Sequence, residues 1–218
     1  MKLRLILFFI TSSVALVGVA PANAGNIALG AAVTIASGSS LLYNSAPLSV
    51  VTDGVFTPED TAFHSGTGMA DSVEWSEGYS GNPSVASGLV LDINLGGEFI
   101  ITGAIVQADD NDAYMLQYWD SASASWQVLY NVPAISSGYG FRTRPNGDQL
   151  TYEPVGPVET DMLQFSAVSG DGGDAVSEIQ VEGTPVSSGT PEPSSLLLFG
   201  SGLAGLVGLV RRKIALRG

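Results

Sequence analysis

From Ala31 to Glu182 the chain never sustains the 3.6-residue apolar period of a surface helix. It breaks instead into short β-prone runs separated by Gly, Asn, Asp, Ser and Pro. The clearest run is Leu89 to Leu95, where Leu89, Leu91, Ile93 and Leu95 occupy alternate positions and so share one strand face. Ala31 to Ser37 opens the series, and Phe99 to Ala108 follows Gly96-Gly97 as a hairpin or tight turn would require. Tyr114 to Tyr118, Trp126 to Tyr130, Met162 to Val168 and Val176 to Glu182 complete it. Many short strands with turn signals between them predict an all-β sandwich or barrel.

Both ends stand apart from this pattern. Lys2 and Arg4, an apolar Leu5 to Val19 and Ala22-Asn23-Ala24 have the layout of a signal peptide over 1–24, cleaved by signal peptidase after Ala24. At the other end, 187–193 is a linker holding Pro191-Glu192-Pro193, whose prolines keep it extended and accessible. The segment 194–218 follows, apolar and uncharged from Ser194 to Val210, near the lower limit for a helix that spans a bilayer. Arg211-Arg212-Lys213 then favours the cytoplasmic side. What remains, 25–186, is about 160 residues, enough for one domain with its own core.

Six of the eight basic residues belong to the two ends. The body keeps only Arg142 and Arg144, with no lysine, against twenty of the twenty-one acids, a net charge near −18. Nucleic acids and anionic lipid surfaces are bound through Lys and Arg, so such a body excludes both as partners. Neutral ligands and divalent cations remain. The absence of cysteine rules out disulfides, thiolate catalysis and cysteine-ligated zinc, and a single histidine, His64, rules out a multi-histidine metal centre.

The order of Pro-Glu-Pro, apolar run and basic stop in the tail resembles the PEP-CTERM sorting signal of Gram-negative bacteria. That resemblance implies export across the inner membrane, transient membrane insertion through the tail, and processing by an exosortase-type membrane protease. An ordinary, uncut anchor is the alternative. The body resembles a discoidin or galactose-binding-like jelly roll. The likeness lies in Val33-Thr34-Ile35-Ala36-Ser37, the Asp53-Gly54 turn, Leu91 to Gly96, the hairpin from Tyr114 to Trp126, and Ser177-Glu178-Ile179-Gln180-Val181. The segment from Asp53-Gly54 to Trp75 is longer than that pattern has, and Met162 to Phe165 lacks its basic residue.

The second resemblance implies one structural calcium ion, with Asp53 and Glu178 giving carboxylate oxygens and Asp60 and Thr61 in the loop beside them. The plainer reading is that Asp53 serves its turn and Glu178 is a solvated strand residue. Asp109-Asp110-Asn111-Asp112 has the composition of an EF-hand loop but neither its sixth-position Gly nor its twelfth-position Glu, and is read as a polar hairpin turn; Asp171-Gly172-Gly173-Asp174 is read alike. No nucleophile motif or paired carboxylates in a local motif indicate an enzyme, so none is expected. For carbohydrate, loop aromatics that stack on sugar rings and nearby polar groups are needed. The candidates are His64, Trp75, Tyr79, Tyr139, Arg142 and Arg144, the two arginines sharing one strand face or simply pairing with surface acids. Trp119 and Trp126, flanking a hairpin, are expected in the core. The resulting expectation is an exported, non-enzymatic protein of the cell surface or biofilm matrix that binds exopolysaccharide; the alternative is a structural matrix protein without a specific glycan.

Overall fold

A computed structural model describes residues 24–38, 41, 45–62, 72–76, 88–135, 140–186 and 202. His64, Tyr79, Tyr139, the signal segment up to 23 and the Pro191–Pro193 and Arg211–Lys213 elements lie outside them. Nine strands carry the fold among the described residues. They are β1 (Gly25–Asn26), β2 (Ala32–Ser37), β3 (Val73–Ser76), β4 (Val90–Asp109), β5 (Ala113–Asp120), β6 (Ser125–Val132), β7 (Phe141–Arg144), β8 (Glu153–Ser169) and β9 (Gly173–Pro185), with a 3-10 turn at Leu48–Thr52. Every pairing is antiparallel.

Two long strands, β4 and β8, serve both layers. The first part of β4, Val90 to Asn94, lies between β2 and the end of β8, and β5 and β6 extend that layer in the order β2-β4-β8-β5-β6. Its second part, Phe99 to Ala108, pairs with β9, which also holds β1 and β3. On its other side β8 gives way to β7 at Val106. The bend falls between Asn94 and Phe99, where the register slips. There Gly96 has φ of 76° and its N–H donates to Asn94 Oδ1 at 2.8 Å. The Gly-Gly pair is therefore not the expected reversal. β8 remains the partner on both sides of it, so the chain kinks through an irregularity and continues as one strand.

The first half of β8 is not legible in the sequence because Pro154, Gly156 and Pro157 punctuate it. Among the described residues only β4 pairs with this half, opposite Phe99 to Ala104, and an edge tolerates residues that cannot donate to a second neighbour.

The acidic turns differ from expectation too. Asp109 to Asp112 does not close a hairpin, since β5 pairs with β6 and β8 but not β4; it carries the chain from one layer to the other. Asp171 to Asp174 returns it from β8 to β9. The two corners are stitched together: Asp171 N–H donates to Asp112 Oδ1 at 3.0 Å, and Asn111 Nδ2 donates to Asp171 Oδ2 at 3.0 Å.

Between the layers lies the main core, with Phe141 and Ala175 forming a small separate cluster. Alternate residues of β4, β5 and β8 (Leu91, Ile93, Leu116, Leu163, Phe165) meet Val106, Ile179 and Val181 of the other layer. Tyr114 stacks on Phe165, centroids 5.2 Å apart, and Trp75 meets Tyr114 edge-on at 6.1 Å. Aromatic packing of this kind adds about 0.5–1.5 kcal/mol per pair beyond area burial.

Candidate functional site

The Asp53–Gly54 turn closes the 3-10 segment and sits against β9. Gly54, with φ of 84°, donates its N–H to both oxygens of Glu178 at 3.2 Å each, while Asp53 Oδ1 accepts from Val55 N–H at 2.8 Å. Glu178 is fully buried, not solvated. Burial pushes its carboxyl up to about 8, with the Asp53 charge adding to the rise. Asp53 and Glu178 are thus brought together. Asp60 and Thr61 are committed elsewhere: the Asp60 carboxylate pairs with Arg142 at 2.6 Å, and Phe141 N–H donates to the Thr61 carbonyl at 3.0 Å. Among the described residues no group of three or more His, Cys, Asp or Glu is arranged to hold a metal ion. Of the four residues expected around calcium, the Asp53 turn and Glu178 lie together, while Asp60 and Thr61 are held against β7.

Glu59 holds this loop to β7. Its carboxylate accepts from Thr143 N–H (3.2 and 3.1 Å), from Gln107 Nε2 at 3.0 Å, from Gln149 Nε2 at 3.3 Å and from the Thr143 hydroxyl. These bonds place Asp60 beside Arg142. The ion pair is exposed, 38% at Arg142 and 66% at Asp60, a setting worth about 0–1 kcal/mol.

Two expected ligand contacts are corrected. Trp75 is a β3 residue with no exposed surface, because its strand pairs with the start of β9 under the inter-layer core. Arg144 is likewise fully buried. Its Nη1 donates to the carbonyls of Ala108 and Asp109, both at 3.0 Å, and its guanidinium carbon lies 5.8 Å from the Tyr114 ring centroid. Nε and Nη2 have no hydrogen-bond partner among the described residues. Burial lowers its pKa while Tyr114, Tyr130, Asp109 and Asp110 oppose the fall. Nearby, Asp109 is pushed up to about 8 by burial and then by the Asp112 charge, and Asp112 is raised mainly by its own burial.

Trp119 and Trp126 are the opposite case. Expected in the core, they are half-buried and face away from it. The core side of β5 is taken by Tyr114, Leu116 and Tyr118, which leaves Met115, Gln117 and Trp119 on the outer side. Trp126 lies directly across from Trp119, and the indoles meet edge-to-face with centroids 5.4 Å apart. A period-2 reading of Trp126 to Tyr130 misses this because the ladder slips between Leu116 and Gln117. The slip moves Trp126 to the face opposite the one that Tyr130 implies.

Two kinds of likeness to known proteins bear on this geometry. Residues 190–213 match the PEP-CTERM protein-sorting motif. No curated protein matches the chain. Among solved structures, a fucolectin from striped bass (Morone saxatilis) serum is similar at 14% identity and a TM-score of 0.50, covering 77% of this chain and 52% of that one. A Streptococcus pneumoniae fucose binding module, SpX-3, is 13% identical with a TM-score of 0.47, covering 72% of this chain and 96% of that one. SpGH29 is 16% identical with a TM-score of 0.46, covering 74% of this chain; the chain spans only 28% of SpGH29. At such identities the likeness is one of fold. The chain is an all-β, galactose-binding-like (discoidin-like) sandwich that carries a PEP-CTERM sorting motif. Among the described residues no helix is long and apolar enough to cross a membrane, and the apolar tail falls outside them except for Gly202.

Proposed function

We propose that this is an exported, non-enzymatic protein of the cell surface or extracellular matrix, sorted by its tail and binding carbohydrate through its β-sandwich. The observation that carries the reading is the pairing of a sorting motif at 190–213 with a sandwich of the same fold as a fucolectin. Signal peptidase and an exosortase-type protease would act on its two ends, and exopolysaccharide is the ligand class. A body with net charge near −18 suits a neutral glycan better than an anionic one. Calcium is proposed at Asp53 and Glu178, drawing its remaining oxygens from carbonyls and water.

The same acidic body favours a second reading, a structural matrix protein that associates through divalent cations and takes no specific glycan. A glycan array probed with the exported protein, with and without a chelator, separates the two. Selective binding to a set of glycans is expected. Failure to bind any glycan, exopolysaccharide included, would leave the structural reading.

A further inference from the structure

The outer face of the β2-β4-β8-β5-β6 layer carries an ordered row of polar side chains. The register aligns Thr34, Asp92, Gln164 and Gln117 in that row across four strands, and the fifth strand adds Val128. Each of these side chains is at least partly exposed, and Gln164 Nε2 donates to Asp92 Oδ1 at 2.8 Å. One step along β5 and β6, on the same face, stands the Trp119–Trp126 pair. At about 4.8 Å between strands, the row is roughly 19 Å long.

We infer that this face, and not the loops at the end of the sandwich, is a binding platform for an extended neutral polysaccharide. The inference rests on the proposed carbohydrate binding and assigns it a site. An edge-to-face indole pair presents one ring flat and the other edge-on. The flat ring offers an apolar surface of the kind that stacks on the C–H face of a sugar. The amides of Gln117 and Gln164 supply both donors and acceptors and Asp92 adds acceptor oxygens, a mixture that hydroxyl-rich ligands can use. From Ser121 to Phe141, through the whole of β6, the sequence has no charged residue at all, in a body otherwise dense with acids. That combination disfavours an anionic polymer and any partner recognised through salt bridges. The length of the row fits several sugar units in line rather than one sugar held at a loop.

The sequence has three tryptophans, and Trp75 is sealed in the core. Indole emission that responds to an added polymer therefore reports on Trp119 and Trp126. The test titrates the full-length protein in mild detergent with a soluble neutral galactan and, separately, with alginate as the anionic comparator. Saturable quenching by the neutral polymer is expected, with at least tenfold weaker response to alginate. Trp126→Ala and Gln117→Ala should each weaken binding tenfold or more while circular dichroism stays that of the parent. Gln117→Ala keeps the test valid if removal of the indole disturbs the hairpin. Glycan-array binding that persists in both variants would overturn the platform while leaving carbohydrate binding intact. Loss of all glycan binding by the parent would overturn both. An emission change that tracks protein concentration without polymer, with a dimer in sedimentation, would make the face a self-contact and also overturn it.

Discussion

Gly54 donates its N–H to both carboxylate oxygens of Glu178, 3.2 Å to each, so the Asp53 turn is tied to the middle of β9. A buried carboxylate in that position either keeps a proton or takes a cation. If calcium occupies it, EDTA should lower the melting temperature. At calcium one hundred times its Kd the ion contributes about 2.7 kcal/mol, which at about 2–4 °C per kcal/mol is a shift of several degrees. Glu178→Gln should abolish the response. A midpoint that ignores EDTA would remove Asp53 and Glu178 from any metal site.

Asp109 makes stability depend on pH. Its carboxyl is raised from 3.8 to about 8, so the folded chain binds a proton that the unfolded chain releases. The stabilisation is complete below pH 3.8 and is lost as pH rises through about 8. Urea titrations at about pH 5 and about pH 8.5 should show the lower pH more stable by an amount on the order of a few kcal/mol. Asp109→Asn should remove Asp109's share of that slope, because an amide keeps the shape without a proton to lose, while Glu178, also raised to about 8, keeps supplying its own. A slope unchanged in the variant would assign the effect to other carboxyls.

Trp75 and Trp126 should separate cleanly in stability. Trp75→Ala opens a cavity in a sealed core and should cost about 3–5 kcal/mol. Trp126→Ala loses one edge-to-face contact and partial burial, about 1 kcal/mol. Guanidinium denaturation measures both; equal losses would contradict the opposite faces assigned to the two rings.

Gly170 leaves room for the stitched corners. A Cβ built there would run into the Asp112 carboxylate and lie 3.0 Å from Asp112 Cβ. Because Asp112 is fully buried and accepts from Asp171 N–H, it has little room to yield. Gly170→Ala should cost about 1–3 kcal/mol, the usual range for overpacking, and show in the thermal midpoint. A neutral result would mean that the two corners separate easily.

Much of the architecture follows from local pattern. The alternation of Leu91, Ile93 and Leu95 identifies the core face of β4 whatever the strand pairs with, since side chains alternate with period two. The sorting motif is likewise readable in one dimension, because its Pro-Glu-Pro, apolar run and basic stop act in sequence order. Arg142 could be foreseen as an exposed partner for an acid, though not that Glu59, bound to Thr143, Gln107 and Gln149, would deliver Asp60 to it.

Burial of polar groups and the choice of face were decided only in three dimensions. A string of aspartates reads as a solvated turn, yet Asp109 and Asp112 are buried because their corner crosses between layers instead of reversing along one. Gly96-Gly97 reads as a reversal, yet β8 accompanies the chain through it. A one-residue slip between Leu116 and Gln117 turns Trp126 outward, while pairing with β9 draws Trp75 inward. Period and the order of the tail's elements determine by themselves that the chain is all-β with a sorting motif. Which tryptophan meets solvent depends on register, and register is settled by strands far apart in sequence.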